Sequence, residues 1–398
     1  MLDLTSSLAG PYCTELLAAL GADVVKVEHP GRGDEARAWG PRFFEGGSVM
    51  FFAANAGKRS LALDLKAPEG REVALRLAGG ADVFIQSLRP GTAERLGLGA
   101  ETLRQGNERL VFCSIGSFGR AGPLAGHPGY DPLMQAFGGV ISVTGEPDRP
   151  GVRVGASLVD LGTGMWAALG ILAALHERVS TGRGRVVDVS LFETVLGLLP
   201  YQLTDALGSG AVSGRHGTAF PLIAPYQVFA TADGELMIAA ANDRLFGALC
   251  EALDLPELAR NPRFASNPLR LEHRAELLPP LERRLRERSS AEWLERLELA
   301  RVPAAPVQDV GEVARHEQTA AVGILQELAG RLTLAPSLSV DGERLQHRSP
   351  PPLLGQHSAE VLAAAGYAED EIARLIAEGI VATSIPGPAP RSASPPDG

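Results

Sequence analysis

The first 115 residues alternate short apolar runs with helix-like segments, and this alternation restricts the fold more than any other feature of the chain. Met1–Leu4, Asp23–Glu28, Ser60–Leu65, Asp82–Ile85 and Leu110–Ile115 are short and rich in Val, Ile and Leu, as strands are. Between them, one helix pattern opens at Ala9-Gly10-Pro11 and runs to Leu20, and another begins near Pro68-Glu69 and stops at Gly79-Gly80. Shorter helical stretches cover residues 91–97 and 100–106. Strands that alternate with helices predict a parallel, Rossmann-like sheet with ligands at the strand ends. No GxGxxG follows the first strand, so a dinucleotide site is not supported. Gly57-Lys58 imitates a P-loop, but Phe52 holds the place of its leading glycine and Arg59 that of its Ser or Thr.

The stretch from Gly151 to Thr194 carries the candidate chemistry. Leu161, Met165, Leu169, Leu172 and Leu175 recur at three- and four-residue intervals, which predicts a buried helix. The apolar run 161–175 is too short to span a bilayer and is broken by glycines. Gly162, Gly164 and Gly170 weaken a helix but let another backbone or a ligand approach. Thr181-Gly182-Arg183-Gly184 ends the helix, and a β-branched strand follows at 185–189. At the mouth of the helix stands Asp160. Asp is a favoured N-cap, because its oxygens accept from the free N–H groups of the first turn. The same carboxylate, kept ionised by the helix dipole, is also a candidate nucleophile.

With 398 residues, 45% of them apolar, the chain has room for two or three domains and a large core. A net charge of −10 argues against an electrostatic nucleic-acid surface, so an anionic ligand needs a local cluster of Lys and Arg. Cys13, Cys113 and Cys250 are widely spaced and form no metal-ligand or CxxC pattern. They are expected to be buried thiols in a reducing compartment, with no metal. Met1-Leu2-Asp3-Leu4 offers no basic n-region, so a cytoplasmic location is expected, with neither membrane nor nucleic acid as partner.

The segment around Asp160 resembles the central signature of the class III CoA-transferases, the CaiB/BaiF family that includes formyl-CoA transferase. In that family a glycine-flanked Asp precedes a helix that ends in the same TGRG loop and V-D-V-S strand. LAGPYCT (8–14), LGADVVKVE (20–28), Gly33-Asp34, NAGKRSLALDLK (55–66) and Arg89-Pro90-Gly91 follow in the family's order. The resemblance implies CoA transfer from an acyl-CoA donor to a free carboxylic acid, with Asp160 as the catalytic residue. It implies no permanently bound cofactor: coenzyme A and acyl-CoA enter as substrates. Arg95 matches a CoA-contacting Arg of the family; Lys58, Arg59, Arg89, Leu63, Ser87, Leu88 and Tyr130 complete the implied contact set. His29 replaces an Arg of formyl-CoA transferase, and Gln86-Ser87-Leu88 replaces E-N-F. Racemases of the same superfamily carry G-H-D where this chain has Gly129-Tyr130-Asp131. A Tyr, titrating near ~10, is a poor general base at neutral pH, which disfavours an acyl-CoA racemase that would use Asp160 as acid and base. His127, three residues earlier in a proline-bounded loop, reads as an exposed loop residue.

The domain organisation expected is a large CoA-binding domain at 1–207, a glycine-containing linker at 208–225 and a small α+β domain at 226–320. A segment at 321–382 then returns to the large domain, and a proline- and serine-rich tail at 383–398 is expected to be disordered. Strands at 226–231 and 235–240 and Arg/Glu-laced helices mark the small domain. Two chains interlocked as linked rings are implied by the resemblance alone.

Overall fold

The computed structural model describes residues 1–383, so all but the first residue of the tail expected at 383–398 lies outside the described residues. The chain divides into two compact units. One contains, among the described residues, 1–140, 154–204 and 320–383; the other contains 141–153 and 205–319.

The larger unit is built on β1 (Leu2–Leu4), β2 (Val24–Glu28), β3 (Lys58–Leu63), β4 (Val83–Gln86), β5 (Val111–Gly116) and β6 (Val186–Ser190). They lie in the spatial order β3-β2-β1-β4-β5-β6, all parallel. The order reverses beside β1, which opens a crevice at the carboxyl ends of the strands. One strand of this sheet was not foreseen: Val381–Ala382 runs antiparallel along β3, pairing with Leu63 and Ala62. Two residues carry no period, so no pattern could announce it.

Helices cover the sheet and make its strands near-continuously apolar. Leu61, Phe84 and Phe112 pack with Val73 and Ala74 of the helix Pro68–Gly79 and with Leu362 and Leu375 of the return segment. The Phe84 and Phe112 rings stack at 5.4 Å.

Charged residues interrupt that pattern inside the sheet. Asp3 on β1 accepts from Thr5 N and Thr5 Oγ1 at 2.8 and 2.5 Å and from Thr14 Oγ1 at 2.6 Å. Lys26 reaches Asp34 at 2.8 Å and the Thr5 carbonyl at 2.9 Å. Glu28 receives Arg37 through both oxygens, at 2.7 and 2.8 Å, and the Ser60 hydroxyl at 2.7 Å. Burial works against the Asp3 charge, but Lys26 and Lys58 outweigh it and hold its carboxyl below the usual range. Buried charges persist only when paired and hydrogen-bonded in this way.

The helix Leu158–Thr181 is 24 residues long and crosses the helix Ala9–Ala19 closely. A Cβ at Gly164 would lie 2.6 Å from the Ala9 carbonyl oxygen, so the expected backbone approach occurs there. At Gly170 and Gly162 the neighbours are side chains, Val187 and Thr194. Two expectations are corrected here. The buried face is made of small residues, among them Thr163, Gly164, Ala167, Ala168 and Ala174, whereas Met165, Leu169 and Leu172 are exposed, with Trp166 beside them at 55%. Close helix–helix contact demands small side chains, so the large apolar ones are turned outward. The helix is also longer than the 161–175 run, and by length and composition alone it could cross a membrane. Its inward face packs on the first helix and the sheet, as a core helix does.

The smaller unit centres on an antiparallel sheet of Ala304–Pro306, Glu235–Ala239 and Tyr226–Ala230, in that order. Phe229, Leu236, Ile238, Leu249, Trp293 and Leu297 form its core. Arg270 is buried there, bonded to Asp243 at 2.7 Å and to the Ala224 carbonyl at 2.8 Å.

Candidate active site

Asp160 occupies the first turn of the 24-residue helix, but it is not the cap. Ser157 stands at the N-cap and makes no side-chain capping bond. The free N–H groups are satisfied instead from another helix: Asp131 Oδ2 accepts from Val159 N at 2.8 Å and from Asp160 N at 3.2 Å. Asp131 opens the short helix Asp131–Phe137, and its other oxygen accepts from Gln135 Nε2 at 2.6 Å. Gln135 Oε1 in turn accepts from Val154 N at 2.8 Å. Both Asp131 and Gln135 are buried.

This arrangement reverses the expected electrostatics of Asp160. The helix dipole was expected to hold the carboxylate ionised; instead its pKa is raised from 3.8 to about 7. Burial is the larger cause, and the like charge of Asp131 adds to it. A half-buried carboxyl titrating near neutrality in the first turn of a helix marks a candidate functional site.

Beside the carboxyl ends of β4, β5 and β6 lies a cleft of about 560 Å³. Gln86, Leu88, Arg89, Ser114, Phe118 and Arg120 are among its lining residues. Gln86 binds the Ser114 hydroxyl at 2.8 Å and receives the Leu88 N–H at 2.6 Å, which fixes the turn after β4. Arg120 pairs with Asp188 of β6 at 2.9 Å, and that bond holds its guanidinium pKa up. Two guanidinium groups and an aromatic ring suit a ligand with both phosphate and base.

The residues proposed for CoA contact separate into two groups. Arg89 and Leu88 line the cleft. Arg95 is exposed on the neighbouring helix Thr92–Arg95 and bonds Thr92 Oγ1 at 2.7 Å. Ser87 accepts the N–H of Ser6 at 3.1 Å, and Tyr130 is 51% exposed just before Asp131. Lys58, Leu63 and Arg59 belong elsewhere. Lys58 is 1% exposed, and its ammonium donates to Pro11 O, Ala54 O and Asn55 Oδ1 at 2.7–2.9 Å, which leaves no donor for a phosphate. Burial, partly offset by Asp3, pulls its pKa down to about 8. Leu63 is a core residue of β3. Arg59 is held by Asp23 and Glu360. A strand that enters a covered sheet buries its alternate residues whatever their charge, and a family motif cannot reveal that.

Asp131, Gln135, Arg120 and Asp188 were missed as site residues. The signal for Asp131 lay in plain view as an Asp-Pro at a helix start, but its partner is another helix. His127 packs edge-on near Phe118, with ring centroids 6.4 Å apart. Phe118, Phe137 and Phe192 form a cluster with centroids 5.3–6.0 Å apart. All three cysteines are free and buried, with pKa values pushed up by burial.

Comparison with known proteins identifies the family. Residues 1–358 match the model of CoA-transferase family III. An acetyl-CoA:oxalate CoA-transferase of Acetobacter aceti is 39% identical over 88% of this chain and 90% of its own. A succinyl-CoA:glutarate CoA-transferase of Homo sapiens is 35% identical over 96% of this chain and 88% of its own. The crystal structure of a CaiB/BaiF family protein from Brucella suis superposes with a TM-score of 0.83 at 38% identity, covering 92% of this chain and 97% of that one. With a family match over nine-tenths of its length and relatives aligned almost end to end, this chain belongs to CoA-transferase family III.

Proposed function

We propose that Asp160 is the nucleophile of a CoA-transferase that moves CoA from an acyl-CoA donor to a small dicarboxylic acid. The observation that carries this is the half-buried Asp160 carboxyl, raised to about 7 at a helix start capped from outside. Above that pH it is ionised, and it is a stronger base than an ordinary carboxylate. The dicarboxylate acceptor is suggested by relatives named for glutarate, oxalate and mesaconate.

In the first step an Asp160 oxygen attacks the thioester carbonyl, the C–S bond breaks, and CoA thiolate leaves a mixed anhydride. The thiolate then attacks the aspartyl carbonyl, which releases the donor acid and leaves an aspartyl-CoA thioester. The acceptor carboxylate attacks this thioester, expels the thiolate and forms a second anhydride. Attack of the thiolate on the acceptor's own carbonyl gives the new acyl-CoA and frees Asp160. Each step exchanges one activated acyl bond for another, so the enzyme must exclude water rather than supply energy. Backbone N–H groups of the glycines near Asp160 are candidate donors to the developing oxyanions.

The cleft beside β4–β6 fits the nucleotide end of CoA, with Arg89 and Arg120 for its phosphates and Arg95 at the adjoining helix. The outward face of Met165, Trp166, Leu169 and Leu172 is suited to cover by a second copy of the chain, as the interlocked homodimer requires. Mass spectrometry of the protein mixed with acyl-CoA tests the mechanism. A CoA-sized adduct is expected on the peptide that holds Asp160, and its absence under turnover conditions would overturn the reading.

A further inference from the structure

Asp131 is held in a way that the transfer chemistry does not itself require. Its Oδ2 takes the N–H groups of Val159 and Asp160, and its Oδ1 takes the Gln135 amide. The carboxylate is 2% exposed and therefore cannot swing toward solvent. It sits at the positive end of a 24-residue helix, where an anion neutralises the partial charge of the free N–H groups.

We propose that Asp131 is a positioning residue that sets both the geometry and the charge environment of Asp160, and that Gln135 locks it by tying the carboxylate to the Val154 backbone. This proposal rests on the nucleophile reading of Asp160. A nucleophile in the first turn of a helix would ordinarily be stabilised as an anion by that turn, and so weakened. Asp131 fills the place, withdraws the Asp160 N–H from the reacting carboxyl and adds a second negative charge nearby. The raised titration of Asp160 agrees, with burial first and Asp131 second among its causes.

The other titratable groups on elements packed against this helix are engaged elsewhere or neutral. Glu15, on the first helix, receives the Ala56 N–H at 3.0 Å. On β6, Asp188 pairs with Arg120, and Glu193 on the helix Leu191–Gly197 receives the Ser190 hydroxyl at 2.5 Å. Tyr12, Cys13 and Cys113 are pushed up by burial and stay neutral. His176, Glu177 and Arg178 lie near the far end of the helix, roughly 25 Å away by the rise per residue.

The test is the pH dependence of kcat/KM for Asp131→Asn and Gln135→Leu, with thermal melting of each. Asn removes the charge but keeps an oxygen that can cap. The acid-limb midpoint, near 7 in the parent, is expected to fall by about one unit in Asp131→Asn. The rate on the alkaline plateau should fall with it, because a weaker base attacks more slowly. Gln135→Leu keeps the charge but frees the carboxylate; its midpoint should hold while kcat drops. A purely structural cap would lower melting temperature and kcat in both variants and move neither midpoint, and that result overturns the proposal. If Asp131→Asn does not fold, Asp131→Glu keeps the charge at a longer reach. It is then expected to retain the parent midpoint with a lowered kcat, and a midpoint that shifts down with it refutes the idea. Asp160→Asn, run in parallel, separates the two levels. Retained turnover there defeats the nucleophile reading itself, whereas lost turnover with an unmoved Asp131→Asn midpoint defeats only the role of Asp131.

Discussion

Replacing Asp160 by Asn should abolish turnover and at the same time stabilise the protein at alkaline pH. The Asp160 carboxyl titrates at about 7 in the folded chain against 3.8 when free, mainly because it is buried and secondly because Asp131 is near. A carboxyl whose folded pKa is raised destabilises the fold once the unfolded chain can ionise more readily. Relative to low pH, stability is therefore lost as pH rises from about 4 through 7. At pH 8 the full difference corresponds to about 4 kcal/mol. Because the side chain is partly exposed, solvent screening reduces this to about 2 kcal/mol. Asn is nearly isosteric and carries no charge at any pH, so it removes the penalty. For a cooperative unit of this size the gain reads as a melting temperature roughly 2–4 °C higher at pH 8. At pH 4 parent and variant should melt together. The assay is a pair of thermal melts at each pH alongside single-turnover transfer. A variant that gains equally at both pH values, or that melts lower at pH 8, would refute the link between burial of this charge and its reactivity.

Four further outcomes are expected. Gly164→Ala places a Cβ 2.6 Å from the Ala9 carbonyl, so chemical denaturation should show a loss of about 1–3 kcal/mol. Lys58→Met leaves Asp3 and Glu15 without their shared cation; a loss of about 3–5 kcal/mol in denaturation is expected, with acyl-CoA KM unchanged in the folded fraction. Arg89→Ala should raise the acyl-CoA KM about tenfold and leave kcat near the parent value, since a charge-assisted bond to CoA would serve ground and transition states alike. Trp166→Glu combined with Leu169→Glu should shift the protein to monomer in sedimentation, because it puts charge on the exposed apolar face of the long helix.

The alternation of strands and helices was legible because period two and period 3.6 are local properties, and all six parallel strands came from the residues, five within the first 115 and the sixth at 185–189. Which face of the 158–181 helix turned inward was not legible, because its large apolar residues mimic a core stripe while the contact with Ala9–Ala19 selects Gly and Ala. Asp160 stood out by its motif, but its cap and its charge environment come from Asp131 on a different helix, a relation set by packing. Lys58 misled for a related reason. Motif and charge suggest a phosphate ligand, whereas its strand position gives it a buried carboxylate and three acceptors. The cleft residues Arg120 and Asp188 lie far apart in sequence, on a glycine-rich loop and on β6, and only the sheet brings them together.

The strand Val381–Ala382 also bears on biosynthesis. Its partner β3 lies far earlier in the sequence, so the pairing of Leu63 with Val381 cannot form until the long intervening stretch has been made. Until then that edge has unpaired N–H and C=O groups beside Leu61 and Leu63, and an open apolar edge of this kind favours pairing with another chain. A chain cut before Val381 leaves that edge open and is therefore expected to give less soluble protein on expression than the parent.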